Sequence, residues 1–462
     1  MNPQTGDEAC ASAQRTPVSG MLPNARGFPR STLRQMLGFL DELAWRGLLH
    51  QTTAETLPAY LATPGRIAYA GFDPTADSLT VGNYVPMKLL AHWQRAGHRP
   101  VVLMGGGTGL IGDPSGKSAE RQLMTPELVA HNVSRQRAIF ERVIDFSQQS
   151  TCAATVVDNG EWLRTLGYLD VLRDVGKHFS VNQMIMRDSV KSRLEEREQG
   201  ISYTEFSYMI LQAYDFLHLF RTMGCTVQLG GADQWGNIVS GIDLIRRMEQ
   251  GEAYGITNPL VTKADGGKFG KSEKGSVWLT ADRTSPFRFH QYWLNTADAD
   301  VVRFLKWFTF LPQDRIAELE RSAAERPQER EAQRVLANEM TEIFHGATER
   351  GNAEAAGRAL YSGELAELDA RTIAEIAEDL PCTVLEPGEL GGEGVLLADL
   401  LVRTTLAASK REARDFMQAG AVLVNGTKAA ADARLTPRDL LHGSVALLRR
   451  GKKNWHAIRA AV

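Results

Sequence analysis

Short apolar segments alternate with amphipathic ones along most of the chain. The apolar segments predict strands over Arg66–Ala70, Pro100–Met104 and Thr155–Val157, and the amphipathic segments predict helices over Tyr84–Ala96 and Pro126–Asp145. Continuous apolar strands separated by helices are typical of a doubly wound parallel sheet in an α/β protein. In such a sheet, ligands bind in the crevice at the carboxyl ends of the strands. The pattern therefore predicts where a functional site would lie.

The length of the chain indicates more than one domain. Its 462 residues exceed what one hydrophobic core usually organises, so two or three domains are expected. The four cysteines lie far apart without a CxxC pair, which argues against a zinc knuckle or a disulfide framework and fits a reducing cytoplasm. No apolar run approaches the roughly 18 residues of a membrane span, and the N-terminus lacks the apolar core of a secretory signal. We therefore expect a cytoplasmic protein.

Residues 1–35 differ in composition from the rest of the chain. They are rich in Pro, Ser, Thr, Gly and Asn without an apolar period, which predicts a disordered extension. Several arginines allow a mitochondrial presequence, whereas Asp7, Glu8 and the prolines argue against the amphipathic helix that such a presequence forms. Met21 and Met36 are alternative starts, so the sequence leaves the true start codon open.

Positive charge is concentrated near the C-terminus. Residues 395–462 hold 12 Lys+Arg against 5 Asp+Glu, a formal charge of +7, which leaves −10 for residues 1–394. Segregated positive charge is typical of a nucleic-acid contact, although a solvated charged face has the same composition. Charge alone leaves both interpretations open.

Two short segments far apart in the chain carry the main candidate chemistry. The first, YAGFDPTADSLTVGN at residues 69–83, places glycines and an asparagine where a predicted strand opens into a predicted helix. A helix start of this kind can hold a phosphate group. The second, KFGKS at residues 268–272, offers two lysines on a loop that contains glycine. Together the two segments indicate a phosphate-binding site.

A glycine-rich run follows the next predicted strand. The run GGGTGLIGDPSGK occupies residues 105–117, and by itself it is most simply a flexible turn. Asp113, Lys117 and Arg121 change that balance, because they supply one anion and two cations close to where the phosphates would lie. The run therefore becomes a candidate part of the same site.

Another strand, later in the chain, also runs through glycines into a helix start. In VQLGGADQWGN at residues 227–237, Asp233 and Gln234 present their side chains at the turn. Asp233 would be able to accept hydrogen bonds from ribose hydroxyls, whereas simple N-capping of the helix is the plainer alternative. The functional interpretation is favoured only because several such strand ends converge.

A polar stripe runs along the helix predicted from SYTEFSYMILQAYDF at residues 202–216. Ser202 and Glu205 have capping-box spacing and mark its start. Within it, three polar residues at i, i+4 and i+7 stand among bulky apolar neighbours: Tyr208, Gln212 and Asp215. The stripe is either a solvent face or one wall of a selective pocket for a small polar ligand. Spacing alone does not decide between them.

These motifs, in this order, resemble those of a known family. The segment at 69–83 resembles the HIGH motif region, and KFGKS resembles the KMSKS loop, of class I aminoacyl-tRNA synthetases. The helix at 202–216 and the run at 227–237 are similar to those of tyrosyl-tRNA synthetases of bacterial type. The resemblance extends from about Met36 to Val462.

The resemblance implies a tyrosine–tRNA ligase. Such an enzyme activates L-tyrosine with ATP to tyrosyl-AMP and pyrophosphate, and then transfers tyrosine to the 3'-terminal adenosine of tRNA(Tyr) in protein synthesis. The implied architecture is a Rossmann-like catalytic domain, an α-helical domain and a small α+β RNA-binding domain. The expected boundaries are an extension at 1–35, the catalytic domain at 36–262, the KFGKS region at 263–285, the anticodon-binding helices at 286–385, a linker at 386–394 and the RNA-binding domain at 395–462.

The resemblance also implies residue roles. The substrate phenol would face Tyr69 and Asp215, and its ammonium group would face Asp113, Tyr208 and Gln212. Phenylalanine would leave a buried Asp215 unpaired, which makes such a site selective. The residues implied for ATP are Gly71, Asp73, Thr75, Gly82 and Asn83 on one side, Gly231, Asp233 and Gln234 toward the ribose, and Lys117, Arg121, Lys268 and Lys271 on the phosphates.

The two signature motifs depart from the family pattern in places. The HIGH-like motif is Pro74, Thr75, Ala76, Asp77, Ser78, Leu79, Thr80, Val81, Gly82 and Asn83, and the KMSKS-like motif is Lys268, Phe269, Gly270, Lys271 and Ser272. Thr80 and Asn83 stand where the family usually has histidines, and Ala70 where cysteine is frequent. Because Thr80 donates one hydrogen bond but carries no charge, we expect the lysines and Arg121 to stabilise the pyrophosphate end.

The resemblance implies several partners. ATP would arrive with Mg²⁺, without a dedicated protein metal site. The chain would form a homodimer and bind tRNA(Tyr), with no membrane contact. The residues implied for RNA phosphates are Lys410, Arg411, Arg414, Arg449, Arg450, Lys452 and Lys453.

Two other classes stay open at this stage. One is a synthetase-like RNA-binding protein that lacks the activation chemistry. The other is a tryptophan-specific relative with the same fold, which Asp215 and the C-terminal RNA-binding segment disfavour. Exchange of pyrophosphate into ATP, measured with each amino acid, would separate them.

Overall fold

The structure, a computed structural model, describes residues 38–113, 123–187, 190–191, 194, 201–267, 269–272, 275–386, 388–451 and 454–460, with backbone alone at 271–272. Some predicted features lie outside the described residues. They are the extension at 1–35 and the side chains of Lys117, Arg121, Lys268, Lys271, Lys452 and Lys453. Within the described part of the chain, no helix has the length and apolar character that crossing a bilayer requires.

A six-stranded sheet forms the centre of the N-terminal half. Its strands are β1 Gln51–Thr52, β2 Ile67–Phe72, β3 Arg99–Met104, β4 Thr155–Asp158, β5 Val227–Gly231 and β6 Tyr254–Asn258. Their order is β1-β6-β5-β2-β3-β4, and all neighbours are parallel except β1, which pairs antiparallel with β6. The predicted Rossmann-like sheet is confirmed, with one short antiparallel edge strand added. Since the chain continues from β2 to β3 on one side and returns to β5 on the other, a ligand crevice opens beside β2.

Helices cover the sheet and connect its strands. They are α1 Phe39–Arg46, α2 Leu57–Leu61, α3 Tyr84–Arg95, α4 Pro126–Phe140, α5 Gly160–Leu163, α6 Tyr168–Asp170, α7 Val181–Ile185, α8 Tyr203–Met223 and α9 Trp235–Glu249. Ser202 caps α8 by accepting from the Glu205 backbone nitrogen, as its spacing predicted. Helix α4 ends before the predicted Asp145, because tighter turns with i→i+3 hydrogen bonds follow Phe140.

The segment after the KFGKS loop is helical, as predicted. Its helices are α10 Pro286–Leu294, α11 Asp298–Phe308, α12 Gln313–Glu325, α13 Glu331–His345, α14 Ala347–Ser362 and α15 Ala370–Asp379. One hydrophobic cluster contains both Val102 of the central sheet and Trp293 and Phe344 of these helices. The first of these helices therefore share a core with the central sheet.

Two buried basic side chains hold the C-terminal end of α11. The Arg46 guanidinium donates to the carbonyls of Lys306, Thr309 and Leu311, and the Lys88 amino group also donates to Thr309. Carbonyls at a helix end lack partners within the helix, and the helix dipole favours positive charge there. Arg46 lies on α1 and Lys88 on α3, so both helices are fastened to the end of α11.

After the short strands β7 Lys271–Ser272 and β8 Gly275–Ser276, the C-terminal segment forms a second sheet in the order β12-β11-β14-β15-β9. Its strands are β9 Cys382–Leu385, β11 Val422–Val424, β12 Thr427–Lys428, β14 Val445–Arg450 and β15 Asn454–Ala460, and a separate pair is β10 Val395–Leu396 with β13 Arg434–Leu435. Helices α16 Leu397–Arg403 and α17 Lys410–Gln418 accompany it. Because β9 pairs parallel with β15, the sheet includes residues that precede the predicted linker at 386–394.

Candidate functional site

The carboxyl ends of β2, β3 and β4 meet at a glycine run. A Cβ placed on Gly105 would lie 2.3 Å from Asp73 Oδ1, and one on Gly106 would lie 2.1 Å from Asp158 Oδ1. Asp158 Oδ1 accepts from the backbone nitrogens of Gly106 and Gly160, so this carboxylate has little freedom to move away. The glycines are therefore required because two carboxylates occupy the space that side chains would need.

Asp215 is the most deeply buried acid of the predicted site, with 1% of its surface exposed. Asn159 Nδ2 donates to one carboxylate oxygen and Trp162 Nε1 to the other, both at 2.8 Å. Burial raises the pKa of Asp215 to about 8, although both hydrogen bonds act in the opposite direction. The stripe residue is thus held in one orientation inside the protein.

Tyr69 lies beside Asp215 with its hydroxyl unused. The ring is fully buried and packs edge-on against Phe216, with centroids 5.3 Å apart. Its hydroxyl has no hydrogen-bond partner among the residues that the structure describes. Burial and the nearby Asp215 charge raise the pKa of Tyr69, so it stays a hydroxyl donor. Tyr69 offers a hydrogen-bond donor and Asp215 an acceptor. Together they suit a ligand group that both accepts and donates, such as a phenol.

The other two stripe residues belong to a polar network. Tyr208, 6% exposed, donates from its hydroxyl to Asp73 Oδ2 at 3.1 Å. The Gln212 amide donates to Gln234 Oε1 at 3.3 Å, and Gln234 Nε2 donates to Asp113 Oδ2 at 2.8 Å. The stripe is therefore not a solvent face. The structure brings together all the residues that the resemblance implied for tyrosine.

The HIGH-like motif is held in place from two sides. On one side, α4 side chains donate to the carbonyls of Pro74 and Ala76; on the other, Thr280 donates to Ser78, and Arg283 pairs with Asp77. Backbone bonds join Leu79 and Val81 to residues 277–279, and the Thr75 nitrogen donates to the Asp73 carbonyl. Thr80 donates from its hydroxyl, at 2.7 Å, and from its backbone nitrogen to Asn83 Oδ1. The hydroxyl of Thr80 thus orients the Asn83 amide.

The KMSKS-like loop lies directly against the HIGH-like motif. A Cβ built on Gly270 would be 3.2 Å from Val81 Cγ2 and 3.7 Å from the Gly82 nitrogen, and Gly270 has a φ of +77° that glycine adopts without strain. The backbone of Lys271–Ser272 pairs with Gly275–Ser276 in a small hairpin. Sequence reasoning placed these two segments at one site, and the structure brings them into contact.

The end of β5 contributes the remaining predicted residues. The carboxylate of Asp233 leans over Gly231, where a Cβ would lie 2.4 Å from Asp233 Oδ1, and it accepts from Gln234 Nε2. Burial raises the pKa of Asp233. Helix α9 has no side-chain cap, so Asp233 is not its N-cap. Gly71 lies at the end of β2, next to β5 in the sheet.

Sequence reasoning missed Asn159 and Trp162. Asn159 accepts from the backbone nitrogens of Gly107 and Thr108 as well as donating to Asp215, so it connects the glycine run to the buried acid. A signal was available, because Asp158 and Asn159 stand at the carboxyl end of the predicted strand over Thr155–Val157, where polar side chains of such a sheet converge. The sequence contains no comparable pattern that would have indicated the hydrogen bond between Trp162 and Asp215.

The basic residues of the C-terminal segment differ in exposure. Lys410, Arg411 and Arg414 are exposed on α17, and Lys410 pairs with Asp399 at 2.8 Å. Arg449 is half-buried and donates to the Leu360 carbonyl. Arg450 lies over the ring of Phe416, with 5.0 Å from the guanidinium carbon to the centroid. The three basic residues of α17 are thus more accessible than Arg449 and Arg450.

The described acids of the site are engaged in hydrogen bonds. Among the described residues, no group of three or more His, Cys, Asp or Glu side chains is placed to hold a metal ion. Its acids instead hold backbone nitrogens, amides and hydroxyls, as at Asp73, Asp158 and Asp215. The arrangement is suited to binding a polar ligand by hydrogen bonds.

Comparison with known proteins gives a consistent result. Residues 64–362 match the family described as tRNA synthetases class I (W and Y), and residues 372–458 match the tyrosine–tRNA ligase SYY-like C-terminal domain. The tyrosine–tRNA ligase of Roseiflexus castenholzii is 48% identical over 425 residues, covering 92% of this chain and all of the relative. That of Geobacillus kaustophilus is 47% identical over 428 residues, with 92% and 100% coverage.

Solved structures agree with the sequence relatives. A C-terminally truncated mitochondrial tyrosyl-tRNA synthetase of Aspergillus nidulans is similar with a TM-score of 0.64 and 31% identity, over 70% of this chain and 94% of that one. The corresponding protein of Coccidioides posadasii gives a TM-score of 0.60 at 31% identity, over 69% of this chain and 91% of that one.

Proposed function

Because this chain belongs to the class I tRNA synthetases and is a tyrosine–tRNA ligase, we propose how its side chains divide the work of that reaction. The enzyme activates tyrosine with ATP and then transfers it to tRNA. The observation that carries the proposal is the pair formed by Asp215, which two donors anchor, and the Tyr69 hydroxyl, which has no partner among the described residues. We assign the roles of the other site residues from where they lie relative to this pair.

Tyr69 and Asp215 bind the substrate phenol. The phenolic oxygen accepts from the Tyr69 hydroxyl, and the phenolic O–H donates to the Asp215 carboxylate, so both buried groups gain a hydrogen-bond partner. At the other end of the substrate, Asp113, Tyr208 and Gln212 bind the ammonium group. Asp113 supplies negative charge, and the Gln234 amide that donates to it keeps the carboxylate in place.

ATP lies between the two signature motifs. Gly71, Asp73, Thr75, Gly82 and Asn83 line one side, and Gly231, Asp233 and Gln234 lie toward the ribose. Because Asp73 accepts from Tyr208 and Thr108, it couples the ATP side to the tyrosine side. The phosphates are bound by the side chains Lys117, Arg121, Lys268 and Lys271.

The chemical step needs no nucleophile from the protein. The tyrosine carboxylate attacks the α-phosphate in line, and pyrophosphate leaves with the bonding electron pair. The protein contributes positioning and stabilisation of the charge on the leaving phosphates. Mg²⁺ would arrive bound to the phosphates of ATP, because it keeps several waters and is not usually bound by a dedicated cage of protein ligands.

Thr80 acts through Asn83. Its hydroxyl proton is directed at Asn83 Oδ1, so the amide nitrogen of Asn83 is turned toward the nucleotide as a donor. A neutral donor replaces the histidine pair that the family usually has at these positions. Charge on the pyrophosphate is therefore left to the lysines and Arg121.

The second step requires the protein to hold a large RNA. We assign the helices of 286–385 to the anticodon side and the segment 395–462 to additional RNA contact. Lys410, Arg411 and Arg414 suit phosphate contact because they are exposed on one helix. Arg449, Arg450, Lys452 and Lys453 stay predictions for the same role. The reaction takes place where tRNA and ATP are available, which we take to be the cytoplasm.

The active form is a homodimer. An apolar surface, here called the apolar patch, lies on α6, α7 and neighbouring turns; its exposed side chains are Tyr168, Leu169, Leu172, Val181, Ile185, Met186 and Tyr203. Tyr168 and Tyr203 are joined by a hydrogen bond between their hydroxyls, so distant parts of the chain form one surface. Grouped apolar side chains of this kind mark protein interfaces, and a second copy of the chain is the partner that the family implies.

Sedimentation would test the dimer. We expect a species of twice 50.9 kDa at micromolar concentration. The double variant Leu169→Asp with Met186→Asp would shift it to the monomer, because it places charges in an apolar interface. Tyr361→Asp is the matched control, since Tyr361 is 92% exposed outside the apolar patch. A monomeric native protein, or a dimer that survives the double variant, would contradict the proposal.

Tyrosine-dependent exchange of pyrophosphate into ATP tests the activation chemistry. We expect exchange with tyrosine and none above background with tryptophan or phenylalanine, because the phenol is the group that both Tyr69 and Asp215 need. Exchange with tryptophan instead would favour the tryptophan-specific alternative. Binding of tRNA without exchange would favour an RNA-binding protein without activation chemistry.

A further inference from the structure

Two rings, one from the KMSKS-like motif and one directly after the HIGH-like motif, pack against the same side chain, Phe308, the last residue of α11. Phe308 is fully buried. Its ring is nearly parallel to that of Phe269 in the KMSKS-like loop, with centroids 5.0 Å apart and planes 13° apart. It is also nearly parallel to that of Tyr84, with centroids 6.2 Å and planes 23° apart. Tyr84 directly follows Asn83 at the start of α3, so Phe308 connects the KMSKS-like loop to the helix that continues from the HIGH-like motif.

The loop is seated in an aromatic group on the helices. Phe269 packs against Tyr292, Trp293, Phe304 and Phe308, which we call the aromatic seat, at centroid distances of 5.0 to 6.2 Å. The Tyr292 hydroxyl also accepts from the Gly270 backbone nitrogen at 3.1 Å. Beyond Tyr292 and Phe304 lies an open cleft of about 920 Å³. The aromatic seat therefore borders solvent on one side. The loop has space there to move away from the seat.

The aromatic seat is fixed to α3, the helix that begins directly after the HIGH-like motif. Helix α3 begins at Tyr84, and Lys88, one turn later on the same helix, holds the carbonyl of Thr309 directly after Phe308. Arg46 binds the same carbonyl from α1. The end of α11 thus has little freedom to move relative to α3. A loop that packs on Phe308 is placed relative to the HIGH-like motif by the same contact.

We propose that Phe308 is a positioning residue for the activation step, because it holds the KMSKS-like loop at a fixed place against the HIGH-like motif. The inference rests on the proposed role of that loop in binding the ATP phosphates. In-line transfer depends on placement, and a displacement of about 1 Å can cost about 100-fold in rate. Without the Phe308 ring, Phe269 would lose a stacked partner and the loop would leave Gly82 more often.

Kinetics of Phe308→Leu would test the role. We expect kcat/KM for ATP in tyrosine-dependent exchange to fall about 10- to 100-fold. Tyrosine affinity without ATP, measured by fluorescence titration, should stay within about twofold of the native value, because Tyr69 and Asp215 lie on other elements. Phe289→Leu is the matched control: it truncates a fully buried ring on α10 that packs on Trp293 but has no ring contact with Phe269 or Tyr84.

The outcomes separate positioning from general loosening of the core. Equal losses of kcat/KM for ATP in Phe308→Leu and Phe289→Leu, or no loss in either, overturn the proposal. If Phe308→Leu does not fold, Tyr292→Phe replaces it, since it removes only the acceptor for Gly270; a fall of about two- to tenfold supports the proposal and an unchanged value overturns it. A native enzyme without exchange would instead refute the role of the loop.

Discussion

Replacing Asp215 by asparagine is expected to lower kcat/KM for tyrosine by about 10³-fold above pH 8, where the carboxylate is ionised, because two hydrogen bonds to a buried charged group are affected at about 1.5 to 3 kcal/mol each. The phenol loses its strongest acceptor. In addition, an asparagine amide has one acceptor oxygen, whereas Asn159 and Trp162 each donate to a separate oxygen of Asp215. One of these donors would face an NH₂ group. Steady-state exchange kinetics would measure the loss.

A pH profile tests the same group in the native enzyme. Because burial raises the pKa of Asp215 to about 8, we expect kcat/KM for tyrosine to rise as the pH increases through that value. The ionised form is the stronger acceptor for the phenolic proton. In the unfolded chain an aspartate ionises near pH ~4. The raised folded pKa therefore contributes stability that is present below about pH 4 and lost as the pH rises through about 8.

Both pH effects should disappear in Asp215→Asn, which has no ionisable group at this position. A native profile that is flat between pH 6 and 9, or a variant that keeps the native kcat/KM, would show that Asp215 does not bind the phenol. Discrimination against phenylalanine is a second readout. Tyrosyl-tRNA synthetases are a known example of such discrimination, at about 10⁵-fold against phenylalanine.

Lys271→Ala is expected to reduce tyrosine-dependent exchange by about 10²- to 10³-fold, the usual effect of removing one charged or hydrogen-bonding group that stabilises the transition state. The position supports this expectation, because the backbone of Lys271 continues from Gly270, which lies against Val81 and Gly82. The loss should appear mainly in kcat, since the charge on the leaving pyrophosphate develops in the transition state.

A lysine elsewhere provides the control for Lys271. Lys428 is exposed in the C-terminal sheet, and Lys428→Ala should leave exchange unchanged. If Lys271→Ala kept native exchange, the assignment of the KMSKS-like loop to the phosphates would be wrong. A loss confined to tyrosine affinity would also contradict it, because Lys271 is assigned to the nucleotide.

Much of the central fold follows from local pattern. The apolar strands and the Ser202 cap are short-range features, and each is found where the sequence predicts it. The convergence of Asp113 and Gln234 follows from one further rule, that parallel strands end at the same edge of a sheet. The pattern does not predict which neighbour each side chain contacts. Tyr208, for example, donates to Asp73.

The remainder depends on contacts between distant segments. Arg46 and Lys88 bind carbonyls that lie more than 200 residues later in the chain, and no local pattern indicates such partners. The anchoring of Asp215 by Asn159 and Trp162 is of the same kind. The shared core of the sheet and the first helices after the loop also blurs the predicted boundary near residue 286, because burial is a property of the assembled fold.

The parallel pairing of β9 with β15 has a practical consequence for dividing the protein. A fragment that starts at the predicted linker would lack β9, and the backbone groups of Ala457–Ala460 on that side of β15 would be exposed. An uncovered strand edge recruits other strands, so such a fragment would be prone to aggregate. Limited proteolysis between residues 386 and 394 would produce the same exposed edge if the two pieces separated. A stable C-terminal fragment must therefore begin before Cys382.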